Sequence, residues 1–382
     1  MTLSRSPVPP DIILDILIKL PVKSLVRFRC VSKLCASMIT AQSFAKHHFI
    51  LAPKKPPALL IICATRLPLI QAHSFFSADI NGGQAIRRMI VPPRLSRYTT
   101  HSVNGIVCMD FGLSATICNP STRESIALPL VCPLKSPLAS STYFCVNSFG
   151  FDPVEKLYKV LNSWIVAGEA SNYRVPNFVR YCVFTLGSSS ISWRVIPGGP
   201  PYYPQRESVC INGVIYFRSW VTVSRTSDRV VLVGFNLHNE TFEVTQLPEG
   251  AGKLADSSSL LKFCGTLGIV DSRIGYDNKV SVWLFQHDSP DKFWVKHSII
   301  FPPYLRKIGG EQDYVVVGTI HTGEVILVPS VLSKHFYVFY YNNEKQKLRR
   351  VRIQGLPEYK PLDFFCNGVT VTSYEENVVS FS

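Results

Sequence analysis

The sequence predicts an α+β chain in which a small N-terminal unit of three helices precedes an all-β domain, a β-propeller of about six blades. Two observations predict this architecture. The first fifty residues are rich in Leu and Ile and lie between prolines that begin and end helices. From about residue 58 onward, short runs of Val, Ile, Phe, Tyr and Trp alternate with clusters of turn-forming residues, and one strand–turn–strand unit recurs.

The first predicted helix begins at Pro10 and ends before Pro21. Its only polar residues are Asp11, Asp15 and Lys19, which are spaced by four and therefore form one narrow stripe. Ile and Leu cover the rest of its surface, which is a wider apolar area than a half-exposed helix shows. So short a segment cannot bury that area by itself, so we expect it to dock on another protein.

Two more helices are predicted, from Val22 to about Val31 and from about Ser32 to Ile39. A stiff, polar stretch of Pro and Lys at residues 53–57 marks a domain boundary. We therefore divide the chain into a helical unit at residues 1–50, a Pro/Lys linker at 51–57 and a β-domain at 58–382.

The repeated β-unit occurs at residues 76–92, 116–129, 183–197, 233–248, 282–295 and 337–351. A glycine followed by an apolar strand precedes several copies, at Gly105, Gly213, Gly265 and Gly323, and one period near 54 fits their spacing. A four-stranded sheet repeated at this period is typical of a kelch-like propeller, and ring closure removes long exposed sheet edges. The uneven spacing leaves five or seven blades possible, and a two-sheet β-sandwich is the alternative fold.

The sequence LPVKSL at residues 20–25, followed by RFRCVSK at 27–33, resembles the plant F-box, and the match covers roughly residues 8–50. The chain departs from that family at three positions, with Val8 for Leu, Asp11 for Glu and Cys35 for Trp. The loss of the large aromatic at Cys35 is the departure expected to weaken packing or adaptor contact. The resemblance implies a helical unit that binds a Skp-type adaptor protein.

The β-domain carries a second resemblance. The segments CNPSTR at 118–123, FGFDP at 149–153 and CINGVIY at 210–216 are similar to the plant F-box-associated domain and occur in that family's order. Read physically, they are turn sequences, because Asn-Pro and Asp-Pro begin turns and Asn-Gly supplies positive φ.

Proteins that resemble an F-box joined to a β-domain act as substrate receptors of cullin-based, SCF-type ubiquitin ligases. The F-box binds the Skp-type adaptor, which docks on the cullin scaffold, and the β-domain captures a protein substrate. We assign the following residues to the adaptor-binding face: Val8, Pro9, Ile13, Ile16, Leu17, Leu20, Pro21, Leu25, Cys30, Val31 and Lys33. Some of the apolar ones must instead hold the small bundle together, and sequence does not separate the two groups.

For the substrate, the residues 130–148, 163–178 and 197–206 are predicted to be loops at one end of the propeller. They contain Lys135 and Tyr143 and our candidate substrate-binding residues Tyr173, Arg174, Tyr202, Tyr203 and Arg206. Tyr and Arg concentrate binding energy in protein interfaces, and a net charge of +14 favours an acidic partner. Two alternatives stay open: the loops only connect blades, or the β-domain senses a small molecule or glycan.

Nothing in the sequence predicts catalysis. The motifs of serine hydrolases, zinc peptidases and nucleotide-binding loops are absent, and the eleven cysteines include no Cys-x-x-Cys pair. We therefore expect no enzyme activity, no metal and no cofactor, with reduced thiols in the cytoplasm, the nucleus or both. The basic residues are spread along the chain, which disfavours nucleic acid, and no apolar run reaches the ~20 residues that cross a membrane.

Overall fold

A computed structural model of the chain describes residues 8–53, 58–67, 70–92, 99–131, 142–167, 176–188, 192–224, 227–251, 258–271, 274, 277–287, 292–309, 314–320, 322–329, 335–357 and 369–381. Within these ranges a helical unit precedes a β-propeller, as predicted. None of the described helices is long and apolar enough to span a membrane.

The helical unit contains four helices: α1 (Pro10–Ile18), α2 (Val22–Phe28), α3 (Lys33–Thr40) and α4 (Gln42–Leu51). The sequence predicted three, because no proline or glycine separates the last two. The extended backbone of Ala41 (φ −61°, ψ 132°) ends α3 and lets the chain turn into α4. At the start of α3, the Ser32 hydroxyl oxygen accepts a hydrogen bond of 3.1 Å from the Cys35 backbone N–H.

Leu17, Leu25 and Phe44 fill the interior of the helical unit. His48 joins α4 to the end of α1, because its Nε2–H donates to the Leu20 carbonyl oxygen at 3.0 Å and so satisfies a carbonyl beyond the last turn of α1. Burial lowers the pKa of His48 although the bond to Leu20 opposes this, and the neutral ring is therefore favoured.

The β-domain consists of six sheets, which we number as blades in chain order. Blade 1 contains β1 (Ala58–Leu67), β2 (Ile70–Ala78), β4 (Ile86–Val91) and β25 (Val369–Tyr374), and blade 2 contains β5 (Thr99–Val103), β6 (Ile106–Asp110), β7 (Ala115–Asn119) and β8 (Glu124–Ala127). Blade 3 contains β9 (Thr142–Asp152), β10 (Leu157–Ala167), β11 (Pro176–Thr185) and β12 (Arg194–Ile196).

Blade 4 contains β13 (Tyr203–Ile211), β14 (Val214–Ser224), β15 (Ser227–Asn236) and β16 (Phe242–Gln246). Blade 5 contains β17 (Ser258–Phe263), β18 (Thr266–Asp271), β19 (Lys279–Gln286) and β20 (Phe293–Ile300). The short helix α5 (Tyr304–Gly309) leads to blade 6, with β21 (Tyr314–Thr319), β22 (Val325–Pro329), β23 (Phe336–Asn342) and β24 (Lys347–Gln354). The small strand β3 (Gly83–Gln84) adds to the outer edge of blade 6.

Two contacts close the ring between blades 6 and 1. The late strand β25 pairs antiparallel with β1 and completes blade 1 as its inner strand. On the outside, β3 pairs with β24, and the Ala85 N–H donates to the Gln354 carbonyl oxygen at 2.8 Å. Apolar clusters fill the spaces between neighbouring blades; for example, Leu161 and Val183 of blade 3 pack with Ile215 of blade 4. The prediction of about six blades is confirmed, and the sandwich is not adopted.

One kind of turn recurs at three hairpins of the propeller. In Asn119, Asp152 and Asn236 the side-chain Oδ1 accepts the backbone N–H two residues later, at 2.9 Å in each case. Each turn ends four residues after its first Asn or Asp in a residue with positive φ, as at Arg123 (φ 64°). The predicted Asn-Gly turns are also present, with φ of 49° at Asn104 and 78° at the following glycine.

Blade 3 corrects part of the prediction of long loops at residues 130–148 and 163–178, because residues 142–148 belong to β9, 163–167 to β10 and 176–178 to β11. Residues 132–141 and 168–175 lie outside the described residues. Polar side chains interrupt the apolar pattern of these strands in the sequence, yet in the fold they bond to one another. Asn162 Nδ2 donates to Asn147 Oδ1 at 2.8 Å, and Asn147 Nδ2 donates to Asp110 Oδ1 of blade 2 at 2.6 Å. Burial raises the pKa of Asp110, whose surroundings therefore favour its protonation more than water does.

A buried ion pair joins blades 3 and 4. The Lys159 Nζ lies 3.0 Å from Asp152 Oδ2 and donates to the Leu237 carbonyl oxygen of blade 4 at 2.8 Å. Burial opposes ionisation of Asp152, but the backbone N–H groups of Glu155 and Val154 and the Lys159 ammonium together hold the pKa of its carboxyl below the usual value.

Replacing Lys159 by Met should lower the free energy of unfolding by about 3–5 kcal/mol, because Asp152 is left buried without its cation. The pKa of Asp152 in the folded protein lies below its unfolded value of about 3.9. The contribution of Asp152 to stability is therefore fully present above about pH 3.9 and is lost as the pH falls through the folded pKa. In the variant that pKa rises, so acid unfolding should begin at a higher pH in a urea titration.

The second substitution Asp152→Asn provides the control, because asparagine occupies the equivalent turn position at Asn119 and Asn236. The double variant should recover most of the lost stability, and its acid unfolding should begin at about the same pH as in the parent protein. A single Lys159→Met variant as stable as the parent protein would contradict the assignment.

Candidate functional site

The helical unit exposes a set of large apolar side chains, which we call the docking face: Val8, Ile12, Ile16, Phe28, Val31 and Leu34. Ile12 and Ile16 are 51% and 54% exposed and lie one turn apart on the same side of α1. So much exposed apolar surface on a unit of four short helices indicates a binding surface for another protein.

The structure separates the residues that the sequence assigned to adaptor binding. Exposed on the surface are Val8, Pro9, Ile16, Pro21, Cys30, Val31 and Lys33. Ile13 and Leu20 are half-buried against the bundle interior. Leu17 and Leu25, 2% and 0% exposed, belong to that interior. We therefore correct these two assignments, since side chains packed inside the bundle cannot form its outer face.

Sequence reasoning missed Ile12, Phe28 and Leu34 of the docking face. The spacing of Ile12 and Ile16, four residues apart and offset from Leu17, was a usable signal for α1. Cys35, at the position where the F-box pattern has Trp, is half-buried and packs against the bundle interior rather than on the exposed surface.

Residues 375–381, which we call the C-terminal segment, attach the helical unit to the propeller. Val378 is only 3% exposed and packs among Leu17, Val22 and Phe44, so a residue that follows the last propeller strand completes the helical core. The helical unit and the propeller therefore share a hydrophobic core rather than being joined only by their linker.

Hydrogen bonds fix the same segment to the propeller. Asn119 Nδ2 donates to the Val379 carbonyl oxygen at 2.7 Å. Asn377 Nδ2 lies 2.8 Å from both the Asn104 carbonyl oxygen of blade 2 and the Tyr158 hydroxyl oxygen of blade 3. Since buried amides need such partners, these bonds determine where Val378 is placed.

Direct contacts between helices and blades reinforce the attachment. Arg29 Nη1 donates to Glu124 Oε1 of blade 2 at 2.5 Å, and Glu124 Oε2 accepts the Phe381 N–H at 3.0 Å. The rings of Phe49 in α4 and Phe151 in β9 are 5.5 Å apart. Glu124 lies at the β7–β8 turn and Phe151 at the β9–β10 turn, which are at the same end of their blades. The helical unit therefore covers that end of blades 2 and 3.

The candidate substrate-binding residues that the structure describes lie at the opposite strand ends. Tyr203 and Arg206 belong to the first strand of blade 4, β13, and Tyr202 directly precedes it, which corrects the prediction of a loop. The Tyr203 ring lies 6.4 Å from that of Phe144 at the start of β9, and Arg206 Nη1 lies 3.5 Å from Asp110 Oδ2.

The remaining substrate candidates are not brought to this place by the structure. Tyr143 belongs to β9 rather than to a loop. Tyr173, Arg174 and Lys135 lie outside the described residues. Tyr202 and Tyr203 are both half-buried, but only Tyr202 packs against the core between blades 3 and 4, and Arg206 is exposed. Tyr203 and Arg206 are therefore the candidates that lie outside this core.

One group of side chains has the composition of a metal site. Asp152, Glu155 and His238 offer ligand atoms within 4.8 Å of one another. The Lys159 ammonium already lies among them, 3.0 Å from Asp152 Oδ2 and 2.7 Å from Glu155 Oε2. The lysine supplies the positive charge that a metal ion would bring, and we assign the group a structural role.

Comparison with known families gives two matches. The F-box domain matches residues 6–47, and the F-box associated beta propeller domain matches residues 64–375. Among curated relatives, F-box protein At1g30790 of Arabidopsis thaliana is 30% identical over 377 residues, covering 92% of this chain and 90% of its own length. F-box protein DOR of the same plant is 29% identical over 374 residues, covering 93% and 90%.

Proposed function

The chain belongs to the plant F-box proteins that carry a C-terminal F-box-associated β-propeller domain, and we propose that it is the substrate receptor of a cullin-based, SCF-type ubiquitin ligase. In this role the helical unit binds a Skp-type adaptor, which docks on the cullin, and the propeller captures a protein substrate. The observation that carries the proposal is the exposed apolar docking face on the F-box helices.

The receptor contributes proximity rather than chemistry. A bound substrate is held near the conjugating enzyme at high effective concentration, which raises the rate of transfer to its lysines. The shared core around Val378 and the Arg29–Glu124 ion pair hold the docking face in one orientation relative to the propeller. Because the orientation is fixed, the fold of the receptor sets the distance between the adaptor and the substrate.

We test the proposal by reconstitution. The full chain is co-expressed with a plant Skp-type adaptor and mixed with the cullin, the RING subunit, the activating and conjugating enzymes and ubiquitin. We expect a complex of one chain per adaptor that assembles on the cullin and transfers ubiquitin to the receptor or a bound protein. Failure to bind Skp-type adaptors, with the chain folded by circular dichroism, would contradict the proposal.

We further propose that the substrate is an acidic protein that binds at the propeller end opposite the helical unit, where Tyr203 and Arg206 lie. Replacing both residues by Ala should reduce substrate capture about tenfold, because Tyr and Arg are typical interface anchors. Proximity labelling with a docking-face variant, which retains undegraded partners, measures this capture. The control is Arg229→Ala on the outer part of blade 4, which should leave the set of labelled proteins unchanged. Adaptor binding should be unchanged in both the Tyr203/Arg206 variant and the Arg229 variant.

We propose that the protein acts in the cytoplasm, the nucleus or both. Support comes from its cysteines, because every cysteine in the described part of the chain is a free thiol and several are buried in the propeller. Such a composition suits a reducing compartment. Imaging of a fluorescent fusion tests the location.

A further inference from the structure

A cavity of about 410 Å³ lies where α4, blade 3 and the C-terminal segment meet. Phe49 of α4, Phe151 and Leu186 of blade 3, and Val379 and Phe381 of the C-terminal segment form its apolar wall. This volume falls within the range of small-molecule sites, which occur preferentially between domains. Its helical side is formed mainly by α4, together with Thr40 at the end of α3, and none of the six docking-face residues lines it.

The charges around this cavity have one sign. Lys46 of α4 and Lys156 of the blade 3 turn are its charged lining residues, and among the residues that the structure describes no carboxylate side chain lines it. Lys156 has a positive φ of 58° at the end of the turn that Asp152 begins, and its N–H donates to the Asp152 carbonyl oxygen at 2.9 Å. The turn therefore places this lysine at the cavity.

The carboxylates of the blade 3 turn and of Glu124, which bonds to the C-terminal segment, are already paired with other groups. Asp152 and Glu155 both contact Lys159. Glu124 accepts hydrogen bonds from Arg29 and from the Phe381 backbone N–H. In the part of the chain that the structure describes, neither Lys46 nor Lys156 makes an ion pair, so two positive charges face an apolar cavity without a counter-charge.

We propose that this cavity binds a small amphiphilic carboxylate, with its apolar body against Phe49 and Phe151 and its carboxylate at Lys46 and Lys156. The walls come from both the helical unit and the propeller, so the ligand stabilises the arrangement in which the two are attached. The proposal does not rest on ligase activity, because it concerns a surface that neither the adaptor nor the substrate is proposed to use.

Two matched probes test the proposal by isothermal titration calorimetry on the full chain: 4-phenylbutyrate and its uncharged analogue 4-phenylbutan-1-ol. We expect the acid to bind at least about tenfold more tightly than the alcohol, because it gains charge-assisted hydrogen bonds. Replacing Lys46 and Lys156 by Gln should abolish this difference, whereas Lys345→Gln with Lys347→Gln on the surface of blade 6 should preserve it.

A second pair of variants locates the apolar body. Phe49→Ala should weaken both probes, and Phe28→Ala, which removes a similarly exposed ring from the docking face, should weaken neither. Several outcomes would overturn the proposal: no binding of the acid up to its solubility limit, equal affinity for acid and alcohol, a difference that survives the double lysine change, or weakening by Phe28→Ala instead of Phe49→Ala.

Discussion

Replacing Ile12 and Ile16 together by Asp should lower the affinity for a Skp-type adaptor by at least about a hundredfold while the helices stay folded. Both side chains are about half exposed on one side of α1, so the free chain loses little packing. Burying one such side chain at a contact contributes about 1.5–3 kcal/mol, and even half of that at two positions, together with the cost of burying two charges, corresponds to this loss.

The choice of residues matters for this experiment. Asp at Leu17 would also abolish adaptor binding, but by unfolding the bundle, since Leu17 is part of its interior. Surface plasmon resonance with immobilised adaptor measures the affinity, and the α-helical circular dichroism signal verifies folding. The matched control is Ile86→Asp with Ile90→Asp, two exposed isoleucines of β4 in the propeller. Unchanged adaptor affinity in the Ile12/Ile16 variant would show that α1 is not the docking element.

Replacing Val378 by Asp should destabilise the helical unit by more than about 3 kcal/mol, although the substitution lies far from the helices in sequence. The change removes a buried apolar side chain and puts an unpaired carboxylate among Leu17, Val22 and Phe44. A unit of this size has little stability to lose. We therefore expect at least a hundredfold loss of amide hydrogen-exchange protection in α1–α4, followed by weaker adaptor binding.

Two comparisons separate this effect from general damage. Val378→Ala should give a smaller loss, about 1–3 kcal/mol, because it leaves a cavity but no charge. Val195→Asp, at a half-exposed position on β12, should leave exchange in the helices unchanged. Propeller strands such as β13 to β19 should keep their protection in all three variants. Full protection of the helices in Val378→Asp would mean that the C-terminal segment is dispensable for the helical core.

The propeller was predictable because its signals are local. A hairpin needs particular residues at its turn, so one strand–turn–strand unit can be recognised six times in the sequence, and turns begin with Asn or Asp at residues 119, 152 and 236. Counting the repeated units predicted the blades. The kelch-like type stays a prediction, because similar turns serve any propeller of four-stranded sheets.

Blade 3 was hard to predict for the opposite reason. Asn147 and Asn162 are directly opposite each other in β9 and β10, and Asn162 Nδ2 donates to Asn147 Oδ1 across the strands. Strand prediction relies on alternating polarity, and polar residues that face inward remove the alternation. Only the register of the β9–β10 hairpin, which places these two residues opposite each other, shows that they are buried rather than part of a loop.

The docking face was predictable in kind but not in detail. Almost the whole circumference of α1 is apolar, so its pattern does not distinguish Ile16 on the surface from Leu17 in the interior. Neither could the sequence associate Val378 with the helices. That contact depends on ring closure by β25, which brings the residues after it beside blade 2.

This placement of residues 369–381 has a consequence for biosynthesis. The F-box helices leave the ribosome before the propeller, but their core needs Val378 and the propeller ring needs β25. Neither the helical unit nor the propeller is complete until translation has passed both β25 and Val378. A polypeptide that terminates early therefore lacks the finished helical core as well as the closed ring. Under the proposed function, such premature products would compete poorly for the adaptor, which would favour receptors whose propeller ring is closed.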